Sequence, residues 1–151
     1  MRSRICALLV LSAAILASTC QAQTVQEARV LVSGTGTEPH INTVIDGIID
    51  YLKTNNVSVS LLGGDIKTRT SALEKLSSSA SESLLYITLD IAAGQRDKLS
   101  VQCFDKQGKQ LWAEETGSGM AASFSGAVKN MLKSIKPKLA RHLGQPGLSK
   151  A

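Results

Sequence analysis

Aromatic residues are scarce in this chain: one Trp, two Tyr and two Phe make up 3% of 151 residues. Single-stranded nucleic acid and carbohydrate are usually gripped by several stacking rings, so both lose their customary platform here. Cysteine is also rare, and two of the three, Cys6 and Cys20, lie in the first 22 residues. If those residues are removed, Cys103 is left alone and an internal disulfide is excluded. No Zn, Ca or P-loop spacing occurs. His40 and His142 stand outside any motif, so no base is set beside a nucleophile or acid. The expectation is a non-enzymatic domain without cofactor or metal. What is present, 43% hydrophobic and 19% charged residues with 12 Gly and 3 Pro, is the make-up of one ordinary folded domain.

The first residues follow the three-part pattern of a secretory leader. Met1-Arg-Ser-Arg4 is basic, Ile5 to Leu16 is apolar, and Ala17 to Gln23 is small and polar. Removal after Ala22 leaves a domain at 23–144 and a loose tail at 145–151. The apolar run is too short for a permanent membrane helix, and no transmembrane segment is expected in the mature chain. Export to the periplasm is the reading. Lipid anchoring through Cys20, which ends an apolar run, is the lesser alternative, because Thr19 stands where a smaller residue is usual and no Leu precedes it at the −3 place.

Hydrophobic period then divides the chain. Arg29 to Ser33 is a short apolar strand, and Gly34-Thr-Gly36 reads as the turn that closes it. Ile41, Val44, Ile45, Ile48, Ile49 and Leu52 fall on one helical face, with Thr37 as the cap and Asn55-Asn56 as the stop. Asp46 and Asp50 share the opposite, solvated face. Val57 to Leu61 alternates like an edge strand. Ser71-Ala-Leu-Glu74 fits a capping box for a second, short helix. Leu84 to Ile91 is almost continuously apolar, as a strand covered on both faces must be. Glycine turns then lead through Leu99 to Asp105 and Gln110 to Thr116, a meander in which Cys103 is a buried apolar position. Phe124, Val128, Met131, Ile135 and Leu139 mark a last helical face, which Pro137 should kink or split.

The element order is β-α-β-α-β-β-β-α. Right-handed crossovers from it predict an α/β fold of three layers, α/β/α, whose five-stranded mixed sheet runs 2-1-3-4-5 with strand 4 antiparallel. From Ala28 to Leu143 this order, the core strand Leu84 to Ile91 and the hairpin Phe104-Asp-Lys-Gln-Gly-Lys-Gln-Leu-Trp112 resemble an anticodon-binding-like fold. That is the fold of the TolB N-terminal domain and of the CsgG-like and LpoB-like cell-envelope domains of bacteria. The resemblance implies an accessory role in envelope assembly or partner recruitment and carries over no functional residue.

Two surfaces stand out as candidates. Gly34, Thr35, Gly36 and Thr37 could present helix-start amides to an anion or small ligand, with Arg96 and Ser118 beside them at the carboxyl edge of the sheet. The second is basic. Without the leader the chain carries fifteen basic and twelve acidic residues, a net charge of +3, and from Met120 onward six basic residues stand against no acidic one. Lys129, Lys133 and Lys136 repeat at i, i+4 and i+7, with Arg141 beyond them. Such a face suits an envelope protein partner, or an anionic lipid or glycan. Nucleic acid is not expected, since the protein is exported and no aromatic ring adjoins the lysines.

Overall fold

A computed structural model describes residues 28–63, 66–91, 97–121 and 123–151; the leader region with Cys20, and Arg96, lie outside them. The order is β1 Val30–Gly36, α1 His40–Thr54, β2 Val59–Leu61, α2 Arg69–Ser78, β3 Ser83–Asp90, β4 Lys98–Asp105, β5 Gln110–Gly117 and α3 Phe124–Ala140. The five strands form one sheet ordered β2-β1-β3-β4-β5, as the crossovers require. β1 runs parallel to β2 and β3, while β4 is antiparallel to β3 and β5.

β3 lies at the centre, and its unbroken apolar run serves two cores. Leu85, Ile87 and Leu89 face a large cluster closed by α1 and α3, whereas Leu84 and Tyr86 face a smaller one with Leu31, Phe104 and Ala72 and Leu76 of α2. All six apolar residues of the α1 stripe are buried. Each fully buried aliphatic side chain contributes about 1.5–3 kcal/mol, so this one helix face anchors a large share of the fold. Asp46 and Asp50 are exposed on its far side, as the period requires.

The structure corrects several local expectations. Gly34-Thr-Gly36 is no turn: all three residues continue β1, in register with Ile87, Thr88 and Leu89. The α2 cap is Thr68, whose Oγ1 accepts from the Ser71 amide at 3.2 Å, so Ser71 lies inside the helix and not at its head. Thr37 does not cap α1 with its side chain; its carbonyl accepts from the Ile41 amide and its Oγ1 accepts from the Ile91 amide. Phe124 is 53% exposed, because the first residue of α3 lies beyond the apolar face formed by Ala127, Val128, Met131, Ile135 and Leu139. Pro137 does not split α3. Ile135 and Leu139, both fully buried, hold the two sides of the proline to one core.

The segment 145–151 is packed where a loose tail was expected. Leu148 is fully buried in the large core. Ser83 Oγ donates to the Gly147 carbonyl at 2.7 Å, the Ala151 amide donates to Asn56 at 2.7 Å, and Arg29 donates to the Lys150 carbonyl. These partners lie at the amino ends of β1 and β3 and just past α1, so the tail closes that end of the sandwich. Leu148→Ala should lower the unfolding free energy by about 3 kcal/mol in a urea titration, the usual cost of a large-to-small change in a core; a loose tail would give no change.

Candidate functional site

The glycine-rich stretch was the first candidate, and the sheet accounts for it. Neither Gly34 nor Gly36 has a positive φ, so neither is present for turn freedom. A Cβ at Gly34 would stand 2.5 Å from the Ile87 carbonyl oxygen, and one at Gly36 would stand 2.3 Å from that of Leu89. The glycines let β1 and β3 approach where any side chain would collide. The Thr37 amide extends the ladder by donating to Leu89 O at 3.2 Å. The backbone of the proposed anion cradle therefore continues the sheet and does not form an open loop.

Ser118 follows β5, separated from β1 by β3 and β4, about 14 Å away at ordinary strand spacing. Its carbonyl accepts from Asn130 of α3 and its Oγ donates to Gly119 O. The structure does not gather it with Gly34 to Thr37. Gly36→Ala should cost about 2–3 kcal/mol by equilibrium denaturation, as overpacking does. In a solvent loop with ordinary φ the same change would be neutral or slightly stabilising.

The basic face is coherent. α1 and α3 meet where Gly47 lacks a side chain: a Cβ there would lie 2.9 Å from Leu132 Cδ1. Over this contact opens a groove of about 590 Å³, lined by Tyr51, Leu132 and Pro137 and rimmed by Lys129, Lys133 and Lys136. Lys129 and Lys133 are exposed and Lys136 is half-buried. Arg141 is exposed at the C-cap of α3 and does not line the groove. Lys138 is committed elsewhere, donating to the Glu115 carbonyl of β5. The apolar floor is the part that sequence period alone did not show, since Tyr51 and Leu132 come from two helices.

A second cluster joins β5 to the turn after α3. His142 Nε2 lies 2.8 Å from Glu114 Oε1, and the imidazole stacks on Trp112 with centroids 4.0 Å apart and planes 6° from parallel. In the sequence His142 stands outside any motif, just past the last helical face, and nothing there names a partner for it. Trp112 and Glu114, two apart on one strand and therefore on one face, were the available sequence sign. The cluster lacks a nucleophile, and it fastens the chain after α3 to the edge strand.

Cys103 is fully buried behind Trp112 and the tail. Burial, with a smaller contribution from Asp105, pushes its thiol up to about 12 from an ordinary 9.0. The native state holds the neutral thiol, so this contribution to stability is complete below pH 9 and is lost as pH rises from 9 towards 12. The unfolding free energy should fall more steeply over that range in the wild type than in Cys103→Val. Equal slopes would show that the thiol ionises freely in the folded protein.

No family model and no curated protein matches the chain. Among solved structures it is similar to PelC from Paraburkholderia phytofirmans, solved as a dodecamer. The TM-score is 0.50 and the identity 17%, over 73% of this chain and 89% of that one. The likeness is one of fold.

Proposed function

We propose that this chain is an exported, non-enzymatic accessory domain of the bacterial cell envelope, related in role to the TolB-like and CsgG-like domains it resembles, and that it works by binding protein through the α1/α3 groove. The groove carries the reading. An apolar floor supplies affinity by burial, and a rim of three lysines selects for an anionic partner and speeds encounter. The leader-like start from Met1 to Ala22 supports export. The fold shared with PelC, a protein that assembles into a dodecamer, supports a part in a protein assembly.

No helix among the described residues is long and apolar enough to cross a membrane. Periplasmic release after Ala22 is the proposed form, and the intact mass of the exported protein distinguishes it from a chain lipidated at Cys20. Affinity capture from a native envelope extract should retain a defined protein. Reversal of Lys129, Lys133 and Lys136 to Glu should abolish that capture while the circular dichroism spectrum stays unchanged. Capture that survives the triple reversal contradicts the assignment.

A further inference from the structure

β1, β2 and β3 all begin at one end of the sheet, where α1 and α2 finish, β4 turns into β5 and the C-terminal segment is fastened. The Glu82 amide donates to the Arg29 carbonyl there, the Ala151 amide to that of Asn56, and Lys106 Nζ to that of Ser79. The charge gathered at this end is one-sided. Across residues 28–30, 51–59, 75–83, 104–110 and 145–151 the basic side chains are Arg29, Lys53, Lys75, Lys106, Lys109 and Lys150, and the acidic ones are Glu82 and Asp105. None of the six cations is ion-paired among the described residues. Arg29 and Lys106 donate to carbonyls, which leaves their charge unneutralised, and the Asp105 carboxylate accepts from the amides of Gln107 and Lys109. The carboxylates next along α1 and α2, Asp50 and Glu74, are matched in number by Lys138 and Arg141 at the end of α3. The helix dipole accounts for Lys53 and Lys75, since each helix end carries about half a negative charge, but it gives no reason for the other four. At the opposite end lysines are neutralised within the fold: Lys67 pairs with Glu38 at 3.0 Å and Lys98 with Glu115 at 2.9 Å.

We infer that this basic end is a docking face for an anionic phospholipid leaflet. The path of the chain points the same way as the charge. Ala28, the first described residue, lies at this end, its carbonyl accepting from Ser81 Oγ. The residues before it include the apolar run Ile5 to Leu16 and Cys20. Any hold on a membrane through that segment, whether the leader before its removal or an acyl chain on Cys20, brings this end to the lipid first. From Cys20 to Ala28 an extended chain reaches at most about 29 Å. An apolar or acyl insertion beside a basic patch is the two-part attachment that holds a protein at a bilayer, where either part alone is weak and reversible. After cleavage at Ala22 the patch acts alone, and docking is reversible and sensitive to salt. The arrangement of the cations favours lipid over a protein partner: they project from five segments around a whole end and do not gather about an apolar floor as the groove lysines do. The surface is separate from that groove, which lies on the flank between α1 and α3 and stays open while the end is docked.

Co-sedimentation of the exported protein with lipid vesicles tests the assignment. The protein should bind phosphatidylglycerol vesicles at low ionic strength, should not bind phosphatidylcholine vesicles, and should be released at about 1 M salt, where screening shortens to about 3 Å. Reversal of Lys53, Lys75, Lys109 and Lys150 to Glu should abolish the binding. The same four changed to Gln, which adds no negative charge at the helix ends, should weaken partition by about a hundredfold or more with native circular dichroism, since each cation near an anionic leaflet contributes about fivefold. The Gln variant therefore decides the matter even if the Glu variant fails to fold. The groove variant, Lys129→Glu with Lys133→Glu and Lys136→Glu, should keep most of its binding. No binding to phosphatidylglycerol, equal binding to both kinds of vesicle, binding that survives the Gln variant, or an equal loss in the groove variant each overturns the inference. Because capture from the envelope extract depends on the groove lysines and vesicle binding on the end face, either reading can fail while the other stands.

Discussion

Parallel pairing of β1 with β3 over seven residues, from Val30 opposite Ser83 to Gly36 opposite Leu89, is the constraint on which the rest of the molecule depends. Parallel strands cannot be joined by a tight turn, so this pairing requires crossover helices, and those helices fix the layers. It also places β3 between β1 and β4, where both of its faces are covered and its side chains divide between two cores. Gly34 and Gly36 permit the close approach at the carboxyl end of the pair. At the other end the C-terminal segment bonds to Arg29 and Ser83, so the pair is secured at both ends.

With the sheet fixed, α3 becomes the surface on which chemistry is concentrated. Its inner face is buried through Val128, Met131, Ile135 and Leu139. Its flank towards β5 is occupied by Lys138 on Glu115 and Asn130 on Ser118. Its flank towards α1 carries the lysines and the apolar groove. His142, stacked on Trp112 and paired with Glu114, secures the chain after α3 to β5. The helix is thus held along two sides and open along the third, an arrangement suited to presenting a rigid binding face.

Much of the fold was legible because long-period patterns belong to long-range structure. The α1 stripe, the continuous β3 run and the two hairpins each carried several residues of evidence, and their order alone selected the strand sequence of the sheet. What was misread turned on single residues whose roles have two physical origins. Glycine allows a turn and also allows two backbones to approach, and Gly34 to Gly36 looks alike in both cases. Thr68 and Ser71 are both good caps, and only tertiary packing of Ala72 and Leu76 decides between them. Leu148 is one apolar residue in a polar tail and has no period to announce it. Phe124 fits the α3 repeat, yet the helix begins with it, outside the buried part of that face. The lysine stripe was visible at i, i+4 and i+7, but its apolar floor needed Gly47 to bring a second helix alongside.

Amide hydrogen exchange of the native protein addresses the central pairing most directly. The amides of Ser33, Thr35 and Thr37, which face β3 in the parallel ladder, together with the β3 amides bonded to β1 and β4, should exchange far more slowly than exposed loop amides, since their bonds join the central strands. Rapid, locally gated exchange at Ser33 and Thr35 beside a protected β3 would mean that the stretch is an open loop, and the pairing on which this account rests would be wrong.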